Sequence, residues 1–161
     1  MIRVFVDYSY YVDDFGGTKL SEEEFNKYGN AGCMEITANT LSRVSDSTIN
    51  GYPIELISRI KNCACTIAEY LKTFHDAFDA MAGSSGEIAQ GIAKSKTAGA
   101  VSVTYDTAAA VSYLLDPVKQ KNIIQSVLNI YLSPVCIGGV FYNLLSKVLD
   151  THGICESCRI I

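Results

Sequence analysis

The sequence predicts a mainly α protein: a three-helix core with a small β-hairpin and an extended C-terminal tail. Three observations lead there. A long segment from Pro53 to Phe78 repeats apolar residues at helical spacing, a capping signature opens a second helix at Ser21, and a third apolar stripe follows Asp116-Pro117. At 161 residues the chain suits a compact domain, and its 48% hydrophobic and 19% charged residues exclude a wholly disordered one.

The first helix is expected from Ser21 to about Arg43. Ser21 is a helix-capping residue type, Glu24 stands three positions on to complete a capping box, and Leu20 and Phe25 occupy the two places of a hydrophobic staple. Glu22, Glu23 and Glu24 complement the positive end of the helix dipole. Phe25, Tyr28, Gly32, Ile36 and Leu41 make its apolar stripe. Gly29 and Gly32 each cost about 1 kcal/mol against alanine, so they point to close approach by a neighbour.

Asn50-Gly51 marks a turn, and Pro53 suits the first position of a second helix because its missing N–H would have no partner there. Ile57, Ile60, Ala64, Ile67, Ala68, Leu71 and Phe74 then predict a helix over 53–78, the most buried of the chain. Ala82-Gly83-Ser84-Ser85-Gly86 breaks it. Val101, Val103 and Tyr105 alternate with Ser102 and Thr104, which predicts a hairpin near 92–105. Asp116-Pro117 opens a third helix, over 117–132, carrying Ile124, Val127, Leu128 and Tyr131. Val140-Phe141-Tyr142 suits a short extended piece, and Leu144, Leu145, Val148 and Leu149 a short final helix. This gives a helical body of residues 1–142 and a tail of 143–161.

Composition excludes several functions. A net charge of −4 argues against a broad phosphate-binding surface. No apolar run reaches the roughly 18–20 residues that span a bilayer, and Met1 to Asp7 lacks the cationic start and apolar core of a signal peptide. Membrane contact is not expected, and the chain is expected to be made and kept in a cytoplasm. There the cysteines at 33, 63, 65, 136, 155 and 158 are expected as free thiols, those at 33, 63 and 65 as small buried groups on helices.

The strongest chemical motif is His152-Gly153-Ile154-Cys155-Glu156-Ser157-Cys158, in which His152, Cys155 and Cys158 could supply three of the four ligands of a tetrahedral zinc. No further ligand pair lies nearby, so a small metal-binding or redox module is the alternative reading, and no metal or cofactor is expected. Cys63 or Cys65 with His75 would be a nucleophile and base, but Cys63 falls on the apolar face of its helix. Asp7, Asp13 and Asp14 lack the ordered spacing of a calcium loop and suit a solvated turn. With no convergent nucleophile, base and stabiliser, no enzyme is expected. Tyr8, Tyr10 and Tyr11 cluster where no helix is evident, and tyrosine suits interfaces. Together with Phe141, and with Leu144, Leu145, Val148 and Leu149 of the tail, they are the candidate partner interface.

From Phe15 to Tyr142 the order of pieces resembles the head-tail connector (adaptor, head completion) proteins of long-tailed bacteriophages and prophages. The matching residues are Glu22-Glu23-Glu24-Phe25, then Ile36, Thr40 and Arg43, in the first helix. Ile60-Lys61, Cys65 and Ala68-Glu69-Tyr70-Leu71 match in the second helix, Ser95 to Tyr105 in the hairpin, and Tyr131-Leu132 with Ile137 to Tyr142 at the end. The chain departs from the pattern at Pro134-Val135-Cys136, in an Ala-rich stretch from Thr107 to Leu115, and in a longer tail from Asn143. The resemblance implies a structural protein of the virion neck, assembled in the host bacterial cytoplasm. It implies a dodecameric ring of this chain seated on the portal protein and followed by neck or tail-terminator proteins. Double-stranded DNA would pass through the lumen without sequence-specific binding.

Overall fold

The structure is a computed structural model that describes residues 4–83, 95–98, 101–104, 113–137 and 140–145. It is mainly helical. In order along the chain come α1 (Tyr8–Asp13), α2 (Glu22–Asn39), a 3-10 turn (Ile49–Gly51), α3 (Ile54–Gly83), β1 (Ser95–Ala98), β2 (Val101–Thr104), α4 (Pro117–Leu132), β3 (Val135–Ile137) and β4 (Val140–Tyr142). β1 pairs antiparallel with β2, and β3 with β4, the latter with Val135 opposite Tyr142. The chain divides into two compact regions. One comprises the described residues of Met1–Leu71 and Ile124–Ile161, the other those of Lys72–Ile123.

The helix starts follow local chemistry. Ser21 caps Glu24, whose carboxylate returns to the Ser21 backbone at 3.0 Å, so the capping box is complete. Leu20 and Phe25 are both buried, as the staple requires. At α4, the Asp116 carboxylate accepts from the Val118 backbone at 2.9 Å and Pro117 takes the first helical position. α4 spans the residues that its apolar stripe predicts. α3 starts one residue after Pro53 and runs on past Phe78 to Gly83.

α2 stops four residues short of the expected Arg43. Its end is a Schellman motif: the Ser42 N–H bonds the Thr37 carbonyl at 2.8 Å and the Leu41 N–H the Ala38 carbonyl at 3.3 Å. Leu41 and Ser42 both take the left-handed backbone, with φ of 52° and 62°. This turn carries Leu41 off the apolar stripe and leaves it exposed. Thr40 instead points inward, its hydroxyl donating to the Ile36 carbonyl at 2.8 Å.

The core of the first region lies between α2, α3 and α4. α3 supplies Leu56, Ile60, Cys63, Ala64, Cys65, Ile67 and Ala68, all essentially without solvent exposure. Phe25, Cys33 and Ile36 come from α2, Val127, Leu128 and Leu132 from α4, and Phe5 and Val6 from the N-terminal segment. In the second region Phe74 and Ala77 are buried, Lys72 pairs with Asp76, and Lys119 lies 4.5 Å over the Tyr113 ring.

Candidate interaction surface

The N-terminal tyrosines sit on a helix that the sequence does not announce. Asp7 caps α1, its carboxylate accepting from the Tyr10 N–H at 2.9 Å and from the Ser9 hydroxyl at 3.0 Å. Those bonds hold the Asp7 carboxyl below its ordinary pKa, the Tyr10 N–H contributing most. The segment is thus a capped helical turn rather than an acidic loop.

The three rings then have different fates. Tyr11 has no exposed surface: its ring stacks on Phe25 at 4.7 Å and on Phe15 at 5.8 Å. A Cβ at Gly17 would lie 2.1 Å from that ring, so only glycine fits there. The Tyr11 hydroxyl donates to the Glu69 carboxylate at 3.0 Å and accepts from the backbone N–H of Lys19 at 3.0 Å and of Leu20 at 3.2 Å. Lys19 also pairs with Glu69 at 2.6 Å. Tyr11 is therefore a core residue that ties α1 and the entry to α2 onto α3, which corrects its assignment as a surface contact. Burial raises the pKa of its phenol.

Tyr10 is half-buried, donating to Asn62 at 3.0 Å with Lys61 4.7 Å over its ring. Tyr8 is half-buried too, 6.0 Å from both Tyr11 and Phe25. With Val12, one turn on and exposed, Tyr8 leaves an apolar edge of α1 open to solvent. Sequence reading passes over Val12 because α1 itself has no long periodic pattern to reveal it.

The C-terminal candidates also separate. Leu144 is buried in the core of its own chain and Leu145 packs against that core, so Leu144 is not a free surface contact. Asn143 is fastened by the Arg43 guanidinium, which donates to its carbonyl at 2.9 Å. Phe141 lies in β4. Val148, Leu149, His152, Cys155 and Cys158 fall outside the described residues.

The thiols show what the core does not do. Cys33, Cys63 and Cys65 are free and buried. Burial pushes Cys33 up to about 11 and Cys63 and Cys65 up to about 12, so all three stay protonated at neutral pH and are poor nucleophiles. His75, the imagined base, instead pairs with Asp79 at 3.0 Å one helical turn away. Among the described residues no helix is long and apolar enough to cross a membrane. Set against protein families, curated proteins and solved structures, the chain matches none.

Proposed function

We propose that the chain is a structural component of a bacteriophage neck, a head-tail connector whose copies close into a ring between the portal and the following neck or tail proteins. The observation that carries this reading is the ordered series of residues from Phe15 to Tyr142 that resembles the connector family. Most described members of that series fall on successive elements, while Thr40 is the C-cap of α2 and Arg43 lies beyond its end. Glu22 to Ile36 lie in α2, Ile60 to Leu71 in α3, Tyr131-Leu132 at the end of α4, and Val140 to Tyr142 in β4.

Two physical features support the reading. A net charge of −4 suits a conduit that lets DNA slide without gripping its phosphates. Protonated, enclosed thiols and a hydrogen-bonded tyrosine core suit a scaffold rather than a catalyst. In its finer form the proposal gives the protein a three-helix core that holds the subunit together, while a β-hairpin over 92–105 meets other chains. A lone two-stranded hairpin is marginal in water and gains from packing on a partner. Ring closure needs one face of each subunit to meet a different face of the next.

The test is the mass of the full-length protein, alone and mixed with a portal protein from the same genome. A ring-sized species, or one that forms only on the portal, is the expected result. A monomer that ignores the portal overturns the reading. A stoichiometric zinc content lost when Cys155 and Cys158 become serine would instead favour a metal-binding module.

A further inference from the structure

α1 and the residues just before it cover two buried thiols. The Cys33 sulfur of α2 accepts from the backbone N–H groups of Phe5 and Val6, and Cys33 is only 2% exposed. Cys65 stands on α3 midway between Lys61 and Glu69, four residues from each and on the same helix face. α1 engages both of those neighbours. The Lys61 ammonium lies 4.7 Å over the Tyr10 ring, and the Tyr11 hydroxyl donates to Glu69 at 3.0 Å. Cys65 is therefore enclosed beneath α1, with no exposed surface. Cys63 is buried as well, but two residues of helix turn through about 200°, which aims it away from α1.

The chain leaves α1 for α2 through Gly16, which is exposed, left-handed at a φ of 72°, and has nothing within 4 Å of where a Cβ would stand. It is a hinge with room to turn. The contact between α2 and α3 does not pass through this cover, since Gly32 lies directly against the Ala64 backbone. The cover can therefore open locally while the long helices stay packed.

We propose that α1 and residues 4–7 lift as a unit from the packed helices, and that Cys33 and Cys65 are then sites of mixed-disulfide formation with a small-molecule disulfide. In that step the thiol gives its proton to solvent and the thiolate attacks one sulfur of the reagent. A new S–S bond to the protein forms, the reagent's own S–S bond breaks, and its other half leaves as a thiolate that takes up a proton. The reagent is the oxidant. Under the closed cover burial keeps both thiols protonated, and lifting it returns the water in which they ionise. A group added to either sulfur has no room beneath the cover, so the adduct holds α1 open. This redox-sensitive latch is independent of the connector reading.

The experiment treats the full-length protein with dithiodipyridine in native buffer and follows each cysteine by tandem mass spectrometry of its peptides. Cys33 and Cys65 should react at least about tenfold faster than Cys63, at rates that low urea scarcely alters, because local opening exposes little surface. Cys63 should instead follow global unfolding and accelerate steeply with urea. Tyr11→Phe, which loosens the cover from Glu69, should speed Cys33 and Cys65 about tenfold. Chymotrypsin should cut beside Tyr11 faster in the adduct than in the untreated protein. Should Tyr11→Phe fail to fold, the three rates in the parent protein still decide the matter. Cys33 and Cys65 reacting no faster than Cys63, one steep urea dependence for all three, rates unchanged in a folded Tyr11→Phe, or an adduct no more open to chymotrypsin would each overturn the proposal.

Discussion

Gly32 of α2 presses against the backbone of α3, where a Cβ would stand 2.7 Å from the Ala64 carbonyl oxygen. The backbone of α3 can come this near because Gly32 carries no side chain and Ala64 only a methyl group. Alanine at position 32 would gain about 1 kcal/mol in helix propensity, yet the Ala64 oxygen belongs to a helix and cannot swing away. Gly32→Ala should destabilise the protein by about 1–3 kcal/mol, as overpacking does, read from the urea midpoint. Gly51→Ala, which meets nothing within 4 Å, should leave the midpoint nearly unchanged.

Ser42 gives a test of opposite sign. It is exposed and held at a φ of 62°, where glycine is at ease. Ser42→Gly should stabilise by about 0.5–1 kcal/mol, the relief of left-handed strain exceeding the added freedom of the unfolded chain. A lower midpoint than the parent's would contradict this.

Alkaline pH should unfold the protein through its thiols. Burial lifts the folded pKa of Cys33 to about 11 and of Cys63 and Cys65 to about 12, against 9.0 for a free thiol, so the unfolded chain releases these protons first. Their contribution to stability is complete below pH 9 and drains away as pH rises through 11 to 12, each by about 1.4 kcal/mol per pH unit. The phenols of Tyr10, Tyr11 and Tyr52, also raised by burial, add to the loss above pH 10. Cys33→Ala should flatten the decline of stability between pH 9 and 11, measured by denaturation at fixed pH.

Removing one oxygen should expose the cost of an unpaired network. Tyr11→Phe keeps the stacked ring but strips partners from the Lys19 and Leu20 N–H groups and from Glu69. A loss of about 1–3 kcal/mol is expected by urea denaturation. Tyr10→Phe, which gives up a bond to Asn62 at a half-buried site, should cost less.

The three long helices were legible because each carries its own start signal: Ser21 with Glu24, Pro53 after Asn50-Gly51, and Asp116-Pro117. Burial of Ile60 and Ile67 followed from spacing alone. What the sequence hid is α1, six residues long and too short for periodicity, held by a cap at Asp7 and by contacts to residues more than fifty positions away. The early stop of α2 was hidden too, because a leucine and a serine take a conformation that sequence rules reserve for glycine. Among the candidate contacts, aromatic and apolar character was readable, but whether a ring faces inward depends on partners such as Gly17 and Glu69. Nothing near Tyr11 in sequence announces them both.

The hydroxyl of Tyr11 also sets an order of events as the chain folds. A six-residue helix is too short to persist alone in water, and its main anchor is a carboxylate 58 residues away on α3. α1 can therefore settle only after α3 has formed and α2 has docked on it, which makes it a late passenger on a scaffold already standing. Loss of the Tyr11 hydroxyl should then hasten unfolding while leaving the refolding rate almost untouched, the mark of an interaction absent from the transition state. The N-terminal segment would be the last part of this region to close and the first to open.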